Sequence, residues 1–256
     1  MGLATQRHLN VYIKTTETCN LNCSHCFTSG INGAKIYFDP VKTAAWVNQI
    51  DRDTIFYEFH GGEPMLASVS SLRKFVELTK GEGVEYGTTT NLVYKLTDEK
   101  LKFFDEIFNK RIGTSWDPTI RFTNEKQKQL WEDNVKLLVK RGYTIKCFVS
   151  LSNVVVNMEP RDIVKYMTDL GIQELDFERI TMDGNAKGKM WPTNSELDEW
   201  FLRYHSQIED RDSIFHVIME NIYAKFEDNN PSRGTWCRDC EQKLLTINAD
   251  GSIAGC

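Results

Sequence analysis

His8-Leu9-Asn10-Val11-Tyr12-Ile13-Lys14 is followed, four residues later, by Cys19-Asn20-Leu21-Asn22-Cys23-Ser24-His25-Cys26. The first stretch is an apolar, β-rich run and reads as a strand from Leu9 to Lys14. The second crowds three cysteines into eight residues, with three and then two residues between them. A loop that tight can wrap one face of an inorganic cluster. It supplies three thiolates where a closed four-iron cluster takes four, so one iron would be open to a small molecule. The other reading is a zinc knuckle, although zinc sites more often pair two close ligands with two from elsewhere. His25 lies inside the loop and reads as a planar flank rather than a ligand.

Outward from that loop, strand-like and helix-like segments alternate. Strands are expected at 9–14, 54–59, 85–90, 112–116, 145–151 and 174–180. Helices are expected at 41–50, 71–80, 98–108, 124–141, 160–170 and 194–208. Six β-α units imply a parallel sheet with crossovers of one hand. They suit an incomplete barrel or an open doubly wound sheet, and either places active residues at the carboxyl ends of the strands. The breaker cluster Asn229-Asn230-Pro231-Ser232-Arg233-Gly234 marks a change of texture. Beyond it, Leu244–Asn248 and Ser252–Ala254 read as two short strands around an Asp250-Gly251 turn. The expected fold class is α/β: a partial (β/α)6 barrel over residues 1–210 with a small cysteine-flanked β-hairpin extension over 211–256.

The 256 residues have room for one large domain, or one with a small appendage. Apolar residues at 41% and charged residues at 26% are those of a soluble globular protein. No apolar stretch approaches the roughly 20 residues of a spanning helix. Residues 1–10, MGLATQRHLN, lack the apolar centre of a secretory signal, so the expected location is cytoplasmic, with no membrane partner. Gln6 stands where a myristoylation pattern has Ser or Thr. A net charge of −5 gives no general attraction to long nucleic acid. The basic stretch from Lys126 to Lys146 reads as a solvated helix face. Cysteines 19, 23 and 26, and again 237, 240 and 256, form two clusters, which in a cytosolic chain point to metal before disulfides. Cys147, alone in the fifth strand, reads as a small core residue.

Cys-x3-Cys-x2-Cys after the first strand of a β/α barrel resembles the radical S-adenosylmethionine superfamily. The resemblance implies that Cys19, Cys23 and Cys26 hold a [4Fe-4S] cluster whose open iron takes S-adenosylmethionine. Reductive cleavage would then give a 5′-deoxyadenosyl radical that abstracts hydrogen. That family usually has an aromatic residue before the third cysteine, where this chain has His25. Gly61-Gly62-Glu63-Pro64 after the second strand looks like the family's motif for the methionine amino group. Two glycines let backbone approach closely, and a carboxylate can accept from an ammonium. By position, the resemblance puts Asn91 near the ribose, and Ser115 and Arg121 near the methionine carboxylate. It puts Phe148, Val149 and Leu151 against adenine. The ordinary reading of Arg121 is a surface ion pair.

Cys237-x2-Cys240-x15-Cys256, with Asp250-Gly251 between, resembles an abbreviated twitch or SPASM extension. That implies a second, auxiliary iron-sulfur cluster, with structural zinc as the other reading. Glu178 and Arg179 at the sixth strand's end bind substrate or pair as ions, and His60 is packed or functional. Trp200, Phe201 and Tyr204 at helical spacing read as core. The functional expectation is radical modification of a peptide or protein, fed by a flavodoxin-like electron donor. The alternatives are a nucleotide, modified base or small metabolite as substrate, and a non-catalytic zinc-binding module.

Overall fold

Parity along the strands separates two faces. In β1 (His8–Thr16), Leu9, Val11 and Ile13 are buried while Asn10, Tyr12 and Lys14 alternate with them. In β2 (Thr54–Gly61), Ile55, Tyr57 and Phe59 are buried in the same way. The computed structural model describes residues 7–26, 35–180, 184–186, 190–208 and 243–254. The remaining elements are α1 (Pro40–Val47), α2 (Val69–Thr79), β3 (Val84–Thr88), α3 (Asp98–Ile107), β4 (Arg111–Trp116), α4 (Glu125–Lys140), β5 (Thr144–Leu151), α5 (Pro160–Asp169), β6 (Glu174–Arg179), α6 (Asn194–Gln207), β7 (Leu244–Ile247) and β8 (Ile253–Ala254).

The buried strand face carries the helices. Phe75 of α2 meets Tyr57 and Phe59 edge-on, with ring centroids 5.3 and 5.8 Å apart. At the other end Phe177 of β6 packs on Trp200 and Tyr204 of α6, at 4.8 and 5.2 Å. Trp200 and Tyr204 are buried, as their helical spacing suggests. Fully burying each such ring contributes about 1.5–3 kcal/mol. The helices start where capping chemistry puts them. Asp39 Oδ1 accepts from the Val41 and Lys42 amides ahead of Pro40, and Thr193 and Glu196 form a reciprocal capping box.

Two sheets result, ordered β3-β2-β1-β7-β8 and β4-β5-β6. All pairings are parallel except β7 with β8. The sheets touch through a single bridge, Thr89 with Gly113, where the Thr90 amide donates to the Gly113 carbonyl (2.9 Å). The six β-α units therefore form an open arc, and its strands break apart between β3 and β4. The backbone ahead of β4 turns through Asn109 and Lys110, both at positive φ (46° and 59°). The far edge of β1 is taken by β7, so the arc is not closed by β6.

The expected hairpin is present, with Gly251 at φ 87° in its turn. Its flanking cysteines 237, 240 and 256 lie outside the described residues. One expectation is corrected. Val149 and Leu151 are fully buried on the same face as Cys147, which leaves only Phe148 of that trio on the inner face. Among the described residues, no helix is long and apolar enough to cross a membrane.

Candidate functional site

The cysteine loop leaves the carboxyl end of β1 and is held from three sides. The first is the end of β2. A Cβ on Gly61 (φ 129°) would lie 2.3 Å from the Thr16 carbonyl oxygen, and one on Gly62 would lie 2.3 Å from that of Thr18. The absent side chains let the Gly62 amide donate to Thr16 (2.9 Å) and the Glu63 amide donate to Thr18 (2.8 Å). Gly61-Gly62 is thus a backbone splint to the segment that enters the cysteine loop.

Glu63 is fully buried. Its Oε1 accepts from the Met65 amide (3.0 Å) and the Thr90 hydroxyl (2.6 Å), and Oε2 accepts from the Asn91 amide (2.7 Å). Burial pushes this carboxyl's pKa up, and those hydrogen bonds oppose the rise. The carboxylate therefore ties β2 to the turn after β3. Asn91, on that turn, donates from Nδ2 to Asn20 Oδ1 (2.7 Å) and to Cys19 Sγ (3.8 Å). Asn20 in turn donates to the Val93 carbonyl (2.5 Å). These contacts form the second side.

The third side is the loop after β4. Asp117, fully buried, accepts at Oδ1 from the Thr119 amide (2.7 Å), the Thr119 hydroxyl (3.2 Å) and the Ile120 amide (2.8 Å). That turn presents two carbonyls to the cysteine loop. Ile120 accepts from the Ser24 amide (3.2 Å) and Arg121 from the Cys23 thiol (3.7 Å). The Asn185 amide donates to the Cys26 carbonyl (2.7 Å), and His25 Nε2 lies 3.4 Å from Ser150 Oγ of β5. Ser115 is half-buried on the inner face of β4, in register with Phe148.

Four buried polar atoms here have no hydrogen-bond partner among the described residues: His25 Nδ1, Trp116 Nε1, Asp117 Oδ2 and Arg121 Nε. Arg121 is therefore not the surface ion pair that is its ordinary reading. Unsatisfied buried groups are costly; those of His25, Asp117 and Arg121 lie around the cysteine loop and the turn after β4, while Trp116 packs on Tyr166 on the helix side. Burial raises the Cys19 thiol to about 11 and also pushes Cys23 up, while Arg121 pulls Cys23 the other way. Burial, and then Arg121, lower the pKa of His25.

Cys19, Cys23 and Cys26 are half-buried and in no disulfide. Among the described residues, no three Cys, His, Asp or Glu converge on one ion-sized point. Zinc draws every ligand to a single atom, at about 2.3 Å for sulfur. An iron-sulfur cube takes each thiolate on a different iron, so three thiolates suffice to hold it. N–H donors also reach Cys19 Sγ, from Leu21 (3.4 Å) and Asn91, as suits a cluster sulfur. The donor set fits a cluster. Asp117, Asn20 and Thr90 escaped the sequence reading as site builders. Asp117-Pro118-Thr119 carried the one available signal, an Asx-turn composition.

No family model matches the chain. The uncharacterized protein MJ0907 of Methanocaldococcus jannaschii is 26% identical over 260 residues, covering 96% of this chain and 84% of that protein. Native anSMEcpe with bound AdoMet superposes with a TM-score of 0.75 at 18% identity, over 97% of this chain and 74% of that one. Streptococcus suis SuiB bound to precursor peptide SuiA gives 0.69 at 14% identity, over 98% of this chain and 60% of SuiB. The likeness is one of fold. Against SuiB the chain spans less than two thirds of the longer chain.

Proposed function

We propose that this chain is a radical S-adenosylmethionine enzyme that modifies a peptide or protein. The observation that carries the reading is one convergence. The loop of Cys19, Cys23 and Cys26, the Gly61-Gly62-Glu63 splint and the Asp117–Arg121 turn meet at the carboxyl ends of β1, β2 and β4. Cys19, Cys23 and Cys26 would hold a four-iron cluster. With S-adenosylmethionine at its open iron it supplies, when bound and reduced, a 5′-deoxyadenosyl radical that abstracts hydrogen.

The chain's own residues do the rest. Gly61 and Gly62 fix the entry to the loop, and Asn91 and Leu21 set N–H groups on the Cys19 sulfur. Arg121, half-buried with its Nε enclosed, offers a guanidinium to a carboxylate, with Ser115 on the inner face at the end of β4. A peptide substrate is supported by neighbours of the same fold: anSMEcpe with AdoMet and Cp18Cys peptide, and SuiB with its precursor peptide. In this reading residues 211–256 carry an auxiliary cluster on Cys237, Cys240 and Cys256, and a flavodoxin-like protein supplies the electron.

Cys23→Ala tests the reading. After anaerobic reconstitution it should form no 5′-deoxyadenosine, and retained cleavage refutes the assignment. Zinc without acid-labile sulfide in the wild-type protein refutes it equally. Cys240→Ala should lower iron content while leaving cleavage in place, and unchanged iron removes the second cluster.

A further inference from the structure

The inner face of the arc is charged, and most of its charges neutralise one another. Arg111 pairs with Glu174 (2.7 Å) and Lys146 with Asp176 (3.1 Å). Glu58 accepts from the Thr89 hydroxyl (2.5 Å). The layer above them is different. Lys14 and His60 are register partners on β1 and β2, and Ser150 and Glu178 are partners on β5 and β6. This layer lies directly under the cysteine loop: His60 precedes the Gly61-Gly62 splint, and Ser150 is the residue that His25 reaches.

Neither Lys14 nor Glu178 makes a hydrogen bond or ion pair among the described residues. Lys14 is half-buried on the β1 wall, and Glu178 stands at the mouth on the β6 wall. They do not pair with each other. Asp250 of the hairpin turn feels Lys14, but its Oδ1 is occupied by the Ser252 amide (2.9 Å) and hydroxyl (2.7 Å). His60 meets Tyr12 edge-on (5.5 Å), and its ring makes no hydrogen bond among the described residues. Burial, with Lys14 beside it, lowers His60 to about 4, so the ring is neutral at pH 7. Burial and then Asp176 push the Glu178 carboxyl up, against the pull of Lys146. These two charges of opposite sign, Lys14 half-buried and Glu178 exposed, have no side-chain partner among the described residues and can each pair with a group that enters the space.

We infer that Lys14 and Glu178 are the specificity-determining charges of the substrate site, and that the reacting unit is dipolar. It presents an anionic group to Lys14 and a protonated nitrogen to Glu178, with His60 available for one further hydrogen bond. The inference rests on the radical reading only for where the chemistry happens. The dipolar unit can come from acidic and basic side chains of a peptide or from a free amino acid.

The test is equilibrium binding to the reconstituted enzyme with S-adenosylmethionine. The probes are capped alanine-rich peptides with central Asp-Lys, Asp-Gln, Asn-Lys or Asn-Gln, and free norleucine beside the singly charged N-acetylnorleucine and norleucine amide. The dipolar member of each set should bind at least roughly tenfold tighter than its neutral or singly charged analogues. The set that shows the preference identifies the source. Glu178→Gln should reduce Asp-Lys to the level of Asp-Gln, and Lys14→Met should reduce it to the level of Asn-Lys. Charge-retaining Lys14→Arg and Glu178→Asp should keep the preference, which guards against misfolding as the cause. Equal or absent binding across both sets, or a preference that survives both neutralising variants, overturns the inference. 5′-Deoxyadenosine formation by the same wild-type preparation is scored separately. Cleavage without a dipolar preference sinks this inference alone, and preference without cleavage sinks only the radical assignment.

Discussion

Replacing Gly62 by alanine tests whether the glycine pair is a splint for the cysteine loop. The added methyl would sit 2.3 Å from the Thr18 carbonyl oxygen, 2.6 Å from its carbon and 3.0 Å from the Glu17 oxygen. All three are backbone atoms, so no side chain can swing aside. Relief requires the two segments to separate by about 1 Å, which breaks the Gly62–Thr16 and Glu63–Thr18 hydrogen bonds. Each such bond is worth about 1 kcal/mol net, and forcing a methyl into packed backbone costs about 1–3 kcal/mol. The expected loss is about 3–5 kcal/mol, or about 6–20 °C in Tm for a domain of this size. Gly81→Ala is the control: its nearest neighbour would be Val84 Cγ2 at 4.0 Å, and its effect should stay within about 0.5 kcal/mol. The assay is thermal unfolding of the unloaded protein by circular dichroism, with iron and sulfide measured after reconstitution. Gly62→Ala should lose both stability and cluster. A variant that melts with the wild type and loads the same iron would show that the close approach holds nothing in place.

Three further outcomes follow from contacts away from the loop's backbone. Asp105 is engaged by Lys110, by the Tyr143 hydroxyl (2.6 Å) and by Arg141 (2.5 Å), which lower it from 3.8 to about 2. A depressed carboxylate stabilises the fold above its unfolded pKa, and that contribution is lost as pH falls from about 4 to about 2. Asp105→Asn should therefore cost about 1–2 kcal/mol at pH 7, after discounting for solvent screening, with the gap closing toward pH 2 in denaturant titrations. Asn134 donates to the Leu92 and Tyr94 carbonyls (2.9 and 2.8 Å), holding a turn in which Leu92 has φ 53°. Asn134→Ala should cost about 2 kcal/mol in urea unfolding, and an unchanged midpoint would mean that the turn stands without it. Cys147 is fully buried, and burial raises its thiol pKa. Iodoacetamide should label it only on unfolding, as mass spectrometry of the native protein would show.

Period-two alternation placed every described strand to within two residues, because Leu9-x-Val11-x-Ile13 and its counterparts bury one face against helices. The expected helix starts also fall within two residues of the observed ones, where Asp39, Thr97 and Thr193 prove to be the caps of three of them. What the sequence kept hidden depends on distant partners. Nothing local to residues 85–116 says that, among the described residues, β3 and β4 will be joined by a bridge at Thr89 and Gly113 and not by a ladder. Nothing near Leu244 names β1 as its neighbour. Glu63 read as a carboxylate open to an ammonium, yet the Met65, Thr90 and Asn91 donors that occupy it come largely from another strand's end. Phe148, Val149 and Leu151 read as one apolar wall, although parity with buried Cys147 already divides them between two faces.

The pairing of β7 with β1 has a consequence for biogenesis. Asn10 through Ile13 find their neighbours in Leu244 through Ile247, and the Ala249 amide reaches Glu17 Oε1 at 3.4 Å. During synthesis, the strand that launches the cysteine loop keeps one edge bare until more than two hundred further residues have left the ribosome. Such an edge invites pairing with another nascent chain. Overexpression should therefore lose material to aggregates during translation, and slower synthesis should improve yield more than added iron does.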